Sequence, residues 1–449
     1  TIALAQKAAR QKAILAIFPE LGLSAYSNDD LFHQDALLKS VENALLTIKK
    51  ASSKFNLVIA CGAPIQVDCR LYNCAVVFYR GKILGVAVKS YLPNYREYYE
   101  ARQFSPASTA IASTITLAGQ KDIPFGANLI FKATTVKNFG LFFEICEDVW
   151  VPIPPSCFAA MAGATIIGNL SASNITIGKA EYRQQLAANQ SARCVAAYLY
   201  ADAGFRESTT DLAWDGHGMI HENGNLLAQS ERFSMSEQMI CADIDLDRLI
   251  QDRMRITTFG HNAADHKANL VSFRFVEFDL ECPGGRLMPE REIPRFPYIP
   301  ADTGKRDQRC YEAYNIQVQG LAQRLKSSGI PNLVIGVSGG LDSTHALLVA
   351  ARTMDLLGRP RTHVKAYTMP AFGTTSKTYR NAINLMKALG VETNEVDIKP
   401  ACLQMLKDID HPFDRGKKVY DIAFENVQAG QRSAHLFRLA NMKHALVLG

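Results

Sequence analysis

Short apolar runs alternate with amphipathic stretches along most of this chain, and that alternation predicts a layered α/β fold. AILAIF (13–18), NLVIACGAP (56–64), AVVFYRGKILGVAVKSYLP (75–93), FGLFFEICEDVW (139–150) and GATIIGNLSAS (163–173) are apolar runs of strand length. Strands covered on both faces read as near-continuous apolar runs. Helix-like segments separate them, such as AEYRQQLAANQSARCVA (180–196). Residues 1–275 therefore read as one α/β unit, opening on a helix-like stretch.

Residues 303–449 read as a second unit. NLVIGVSGGLDST places a strand (333–337) directly before a glycine turn. The helix that follows carries Leu347, Ala350, Met354 and Leu357 on one face. HVKAYTMP (363–370) predicts a second strand. The next helix, with Tyr379, Ala382, Ile383, Met386 and Leu389, stops at Gly390, and TNEVDI (393–398) follows as a third strand. Strand–helix–strand–helix–strand predicts a doubly wound parallel sheet. Between the units, ECPGGRLMPEREIPRFPYIPAD holds Pro283, Pro289, Pro294, Pro297, Pro300, Gly284 and Gly285. That density breaks regular structure and predicts a linker over 276–302.

Composition narrows the class without naming a chemistry. At 449 residues with 48% hydrophobic and 20% charged positions, the chain can bury two or three cores. A net charge of +6 suits anionic substrates but does not by itself indicate nucleic acid. None of the ten cysteines forms CxxC or a zinc-finger spacing, so buried free thiols in a reducing compartment are expected. No apolar run reaches the length of a membrane span and no leader opens the chain, so a cytoplasmic location is expected.

SGGLDST (338–344) sits at a strand-to-helix turn. Gly339 and Gly340 let backbone approach a ligand, and successive N–H groups at a helix start form an anion site. Ser338, Ser343 and Thr344 add hydroxyl donors. Asp342 would repel a phosphate, so its sensible task is to hold Mg²⁺ bridging phosphate oxygens. No GKS or GKT follows, which excludes a Walker loop. Gly336-Val-Ser338-Gly-Gly340 formally fits GxSxG, with His411, His435 and His444 downstream as conceivable partners, so a hydrolase serine stays open on spacing alone. A purely structural turn stays open too. SGGLDST resembles the pyrophosphate loop of the ATP pyrophosphatases (adenine nucleotide alpha hydrolase-like).

Glu20, Lys89 and Cys146 each end an apolar strand-like run. Ligand sites in α/β folds lie at the carboxyl ends of strands, so the three could converge. Amide hydrolysis through a thioester needs a nucleophile, a base and an oxyanion stabiliser, for which Cys, Glu and Lys are suitable. Taken singly, each has a bland alternative: a solvated turn glutamate, a water-facing lysine, a buried thiol. Along the run FFEIC, strand alternation places Glu144 and Cys146 on one face, with Glu147 past the strand end.

FPELGLSAYS, VKSYLPNYREYYEARQF, EICEDVW and NLSASN resemble the nitrilase (carbon–nitrogen hydrolase) family. The resemblance puts that family's triad on Glu20, Lys89 and Cys146 and its second glutamate on Glu100. It implies an α-β-β-α sandwich for the first unit. Nitrilase-like and pyrophosphate-loop segments in one chain, with WDGHGMIHENGNLLAQSERF (214–233) and ENVQAGQRSAHLFRLAN (425–441), resemble the glutamine-dependent NAD⁺ synthetases. That resemblance implies an enzyme that hydrolyses glutamine and passes the ammonia to adenylated nicotinic acid adenine dinucleotide, with ATP and Mg²⁺. It implies glutamine contacts at Tyr26, Tyr95, Glu147 and Ser173. ATP contacts fall at Ser338, Gly339, Gly340, Asp342, Ser343 and Met369, and dinucleotide contacts at Asn426 and Arg432. Plain packing is the alternative for Met369, and a solvated helix face for Asn426 and Arg432. A homo-oligomer with small-molecule substrates and no nucleic acid is expected. An amidase whose partner domain binds nucleotide without synthesis is the second reading, and vestigial sites in an assembly protein the third. The absent first strand and the ending at HALVLG suggest a fragment at both ends.

Overall fold

The computed structural model describes residues 1–209, 212–282, 289–291, 293 and 295–449. Two compact units divide the chain, Thr1–Glu292 and Ile293–Gly449.

The first unit runs α1 (Ile2–Arg10), β1 (Leu15–Ile17), α2 (Asp35–Ser52), β2 (Val58–Val67), β3 (Arg70–Tyr79), β4 (Lys82–Val88), α3 (Glu100–Gln103), β5 (Thr114–Leu117), β6 (Gln120–Gly126), β7 (Leu129–Ala133), β8 (Gly140–Ile145), α4 (Pro155–Met161), β9 (Ile166–Ser171), α5 (Lys179–Cys194), β10 (Ala197–Asp202), β11 (Met219–Glu222), β12 (Asn225–Gln229), α6 (Leu246–Arg255), α7 (Thr257–Asp265), α8 (Lys267–Leu270) and β13 (Arg274–Phe278). Two sheets form, in the orders β1-β2-β3-β4-β6-β5 and β12-β11-β10-β9-β8-β7-β13.

Strand alternation sorts the apolar side chains into three layers. Ile59 and Cys61 of β2 face α1 and α2, meeting Ala5, Val41, Leu45 and Ile48. Val58 and Ala60, one residue out of phase, meet Leu141, Phe143 and Ile145 of β8 between the sheets. Phe142 points the other way, to Ala159 and Ala160 of α4 and Ala187 of α5. Helices thus cover both outer faces, an α-β-β-α sandwich whose central strands, such as β8 and β9, are buried on both sides. Each fully buried Leu, Ile or Phe contributes roughly 1.5–3 kcal/mol, so the layers hold without special devices.

The expected linker start at 276 is corrected. β13 pairs with β7 from Arg274 to Phe278, and Phe278 and Leu280 are buried between the sheets. Apolar burial there outweighs the prolines and glycines that follow. Pro283, Gly284, Gly285 and Pro294 lie outside the described residues.

The second unit runs α9 (Thr303–Ser328), β14 (Asn332–Gly336), α10 (Leu341–Leu356), β15 (Val364–Thr368), α11 (Ser376–Leu389), β16 (Glu392–Glu395), α12 (Lys399–Asp408), α13 (Ile422–Lys443) and β17 (Ala445–Leu448). Its sheet is parallel throughout, in the order β16-β15-β14-β17. Leu333, Ile335 and Val337 pack against Leu347, Ala350 and Met354 of α10 and Ala382 and Met386 of α11. Val334 faces the opposite side, towards Leu436 and Ala440 of α13. Helices on both faces make the sheet doubly wound, and β14 stands where the strand order reverses. No helix among the described residues is long and apolar enough to cross a membrane.

Candidate active site

Four strand ends of the first unit converge. Glu20 follows β1, Lys89 follows β4, Cys146 follows β8, and Ala172 and Ser173 follow β9. The turn at Glu20 passes so close to β2 that a Cβ on Gly62 would lie 2.2 Å from Leu21 N and 2.6 Å from Pro19 O. Only glycine admits that approach.

Lys89 is fully buried, and its Nζ donates to Glu20 Oε1 at 2.6 Å and to Glu100 Oε1 at 2.7 Å. Asn73 Nδ2 also donates to Glu20 Oε1 at 2.6 Å, and the Ala172 amide donates to Oε2 at 2.7 Å. Tyr26 Oη donates to Glu100 Oε1 at 2.7 Å, while Glu100 Oε2 is buried without a hydrogen-bond partner. Burial alone would lower the lysine's affinity for its proton, but Glu100 and Glu20 more than offset this and hold it cationic. Burial pushes Glu100 up to about 7, with Lys89 opposing and Glu20 adding. The Cys146 thiol is also driven well above its usual range, first by burial and then by Glu20, with Lys89 opposing. Glu20 and the Cys146 thiol thus act on each other within the same buried cluster.

Cys146 does not share a face with Glu144, and that expectation is corrected. β8 ends at Ile145, and Cys146 opens a 3-10 turn (Cys146–Val149) with φ of 45°. This left-handed residue swings the thiol to the inter-sheet side with Ile145. Glu144 points to the outer layer, accepting from the Ser156 amide at 3.1 Å and Tyr198 Oη at 2.5 Å. Glu147 accepts from Tyr95 Oη at 2.9 Å, and burial raises its carboxyl. Ser173 is buried, its amide donating to Asp202 at 2.8 Å and its carbonyl accepting from Arg183 at 3.1 Å.

Several contributors escaped sequence reasoning. Lys179, half-buried at the start of α5, donates to Asn174 Oδ1 at 2.5 Å and lies 5.6 Å and 5.4 Å from the ring centres of Tyr98 and Trp150. Cys146 and Lys179 act on each other electrostatically, as do Glu147 and Lys179. Among the described residues neither Lys179 nor Glu147 has an ion-pair partner within 4.0 Å. Arg183, buried between Asp202 and Asp215 at 2.9 Å each, braces the loop that carries Ala172 and Ser173. Glu207 accepts from the Tyr26 and Ser27 amides at 2.9 Å and 3.1 Å, which steadies Tyr26. A lone Lys, Arg or Glu carries no periodic signal in the sequence.

In the second unit, Gly339 has φ of 81°, and a Cβ there would lie 2.2 Å from Thr378 O. Ser338 Oγ lies 3.1 Å from Ser343 Oγ and accepts from the Gly340 amide at 3.2 Å. Gly340 caps α10, and Asp342 is exposed in its first turn. No histidine among the described residues hydrogen-bonds Ser338; His411 pairs with Asp421 at 3.0 Å and His435 with Gln431 O at 2.7 Å. The hydrolase-serine reading therefore lacks its base. Met369 is buried among Ile398, Cys402 and Leu436, and its Cε lies 3.2 Å from where a Cβ on Gly336 would stand. Asn426 is exposed and Arg432 half-buried on α13, and neither side chain makes a hydrogen bond or ion pair among the described residues. No group of three or more His, Cys, Asp or Glu able to hold a metal occurs among the described residues. A single carboxylate fits an Mg²⁺ that arrives with nucleotide phosphates rather than a resident ion.

The first unit is thus a fold of two stacked sheets with a buried Cys, Lys and Glu at the strand ends. Residues 1–254 match the carbon–nitrogen hydrolase family, and the chain belongs to it. Residues 313–449 match the NAD synthase family. The glutamine-dependent NAD(+) synthetase of Mycobacterium leprae is 53% identical over 97% of this chain and 64% of its own length. That of Aquifex aeolicus is 28% identical over 98% of this chain and 69% of its own. The chain thus spans about two thirds of the length of the relatives it matches. A crystal structure of a glutamine-dependent NAD(+) synthetase from Cytophaga hutchinsonii aligns with a TM-score of 0.48 at 20% identity, covering 99% of this chain and 70% of that one.

Proposed function

We propose that the protein is a glutamine-hydrolysing NAD⁺ synthetase, with the amidase in the first unit and ATP chemistry in the second. The observation that carries this reading is the pairing of a buried Cys–Lys–Glu cluster with a carboxylate, Glu147, and an ammonium, Lys179, that form no ion pair within 4.0 Å among the described residues. Glutamine brings the matching charges: its α-ammonium suits Glu147, its α-carboxylate suits Lys179, and its side-chain amide then reaches Cys146.

Glu20 takes the thiol proton as Sγ attacks the amide carbon. Lys89 donates to the developing oxyanion, in a dry setting where that bond is strong. Ammonia departs with the proton from Glu20 and leaves a glutamyl thioester. Glu20 then draws a proton from water, which cleaves the thioester to glutamate and the free thiol. Glu100 keeps Lys89 in place throughout.

In the second unit the Gly339–Gly340 backbone and the Ser338 and Ser343 hydroxyls hold the phosphates of ATP. Asp342 would hold Mg²⁺, which supplies charge neutralisation at those phosphates. Adenylation turns the carboxylate of nicotinic acid adenine dinucleotide into an electrophile with AMP as leaving group, and ammonia displaces it to give NAD⁺. The strong likeness to the mycobacterial relative supports this half.

NAD⁺ formation with glutamine or with ammonium chloride as nitrogen source tests the division of labour. Cys146→Ala should abolish the first and spare the second. NAD⁺ formation from glutamine that survives Cys146→Ala would refute the reading. Glutamine hydrolysis with no NAD⁺ from either source would leave only an amidase with a nucleotide-binding partner domain.

A further inference from the structure

We propose that Asp148 is a positioning residue that sets the nucleophile Cys146 against Lys89, an inference that rests on the amidase reading above. The two functional groups sit on different sheets, Lys89 after β4 and Cys146 after β8, so no single strand pair fixes their separation. Asp148 bridges the gap. Its Oδ1 accepts from the Ser90 and Tyr91 amides at 3.1 Å and 2.9 Å, directly after Lys89. Its Oδ2 accepts from the Ile145 amide at 2.9 Å, directly before Cys146. The side chain is 1% exposed and, among the described residues, forms no ion pair. Its two oxygens thus clasp the backbone just after Lys89 to the backbone just before Cys146. The clasp also explains how Cys146 keeps its left-handed backbone, since such residues persist only where their surroundings over-determine them. Sites of this kind need placement to within about half an ångström.

Asp148→Asn keeps the shape but turns one acceptor oxygen into a donor facing an N–H group. In the full protein it should lower kcat for glutamine hydrolysis about 10- to 100-fold, the usual effect of slightly misplacing reacting groups. KM for glutamine should stay within about threefold, because Glu147 and Lys179 are untouched. Alkylation of Cys146 by iodoacetamide at fixed pH, read by peptide mass spectrometry, should slow in parallel. Asp148→Glu, which keeps both acceptors at a shifted position, should recover part of kcat and serves as the readout if Asp148→Asn does not fold. Wild-type kcat and alkylation in a folded Asp148→Asn would overturn the proposal, as would loss of folding in both variants, which would mark a purely structural clasp. Cys146→Ala in the same assay separates the two levels. If it still hydrolyses glutamine, the amidase reading itself fails; if it is inactive while Asp148→Asn matches wild type, only the role of Asp148 falls.

Discussion

Replacing Lys89 by Met removes one buried cation from between two buried carboxylates, and the consequences divide by pH. Lys89 donates to Glu20 and Glu100 at 2.6 Å and 2.7 Å with no exposed surface. Deleting one partner of a buried pair costs about 3–5 kcal/mol, because the remaining charge stays uncompensated. At pH 8 the variant keeps Glu20 and Glu100 buried with no cation between them. At pH 5.5 Glu100, whose carboxyl is raised to about 7, is more protonated than at pH 8, so less of its charge is left without a partner. Lys89 works to lower the Glu100 carboxyl, so its removal raises that group further and widens the gap at alkaline pH. The melting temperature should fall by roughly 10 °C at pH 8, at about 2–4 °C per kcal/mol, and by clearly less at pH 5.5. Calorimetry at the two pH values measures both. Glutamine hydrolysis should drop at least about 100-fold, the scale of losing one oxyanion donor. A variant as stable as wild type, or one equally destabilised at both pH values, would refute the assignment of Lys89 as counter-charge to both acids.

Gly339→Ala drives a Cβ into Thr378 O and forces an unfavourable left-handed backbone; ammonia-driven NAD⁺ formation should fall at least about tenfold with a raised KM for ATP, since the loop backbone must move. Glu144→Gln should become more stable relative to wild type as pH rises from about 4.5 to 7 in urea unfolding. Burial raises this carboxyl from 4.5 to about 7, which at about 1.4 kcal/mol per pH unit makes ionisation cost about 3 kcal/mol of folding stability that the amide does not lose. A pH-independent difference would show that Glu144 is not the buried acid described.

Much of the fold is legible because strand burial and helix faces are local patterns. The runs at 56–64, 139–150 and 163–173 became β2, β8 and β9, and the face of Leu347, Ala350 and Met354 became the buried side of α10. Glu20, Lys89 and Cys146 were visible as strand ends. The site's supports were not. Asp148, Arg183 and Glu207 act on backbone groups or partners brought near only by folding, so no spacing announces them. The face of Cys146 was misread because alternation assumes extended backbone, and φ of 45° at a non-glycine residue breaks it. The linker start was misread because glycine and proline density outweighed a short, weakly apolar strand, β13, whose register comes from β7.

The account stands most directly on a covalent bond at Cys146. Acid-quenching the wild-type protein during glutamine turnover should trap the thioester, and Glu20→Gln, which lacks the base for both steps, should form it far more slowly. Peptide mass spectrometry should then find a glutamyl adduct on Cys146 and on no other cysteine. Ammonia release with no adduct on Cys146, or an adduct on a different residue, would contradict the mechanism.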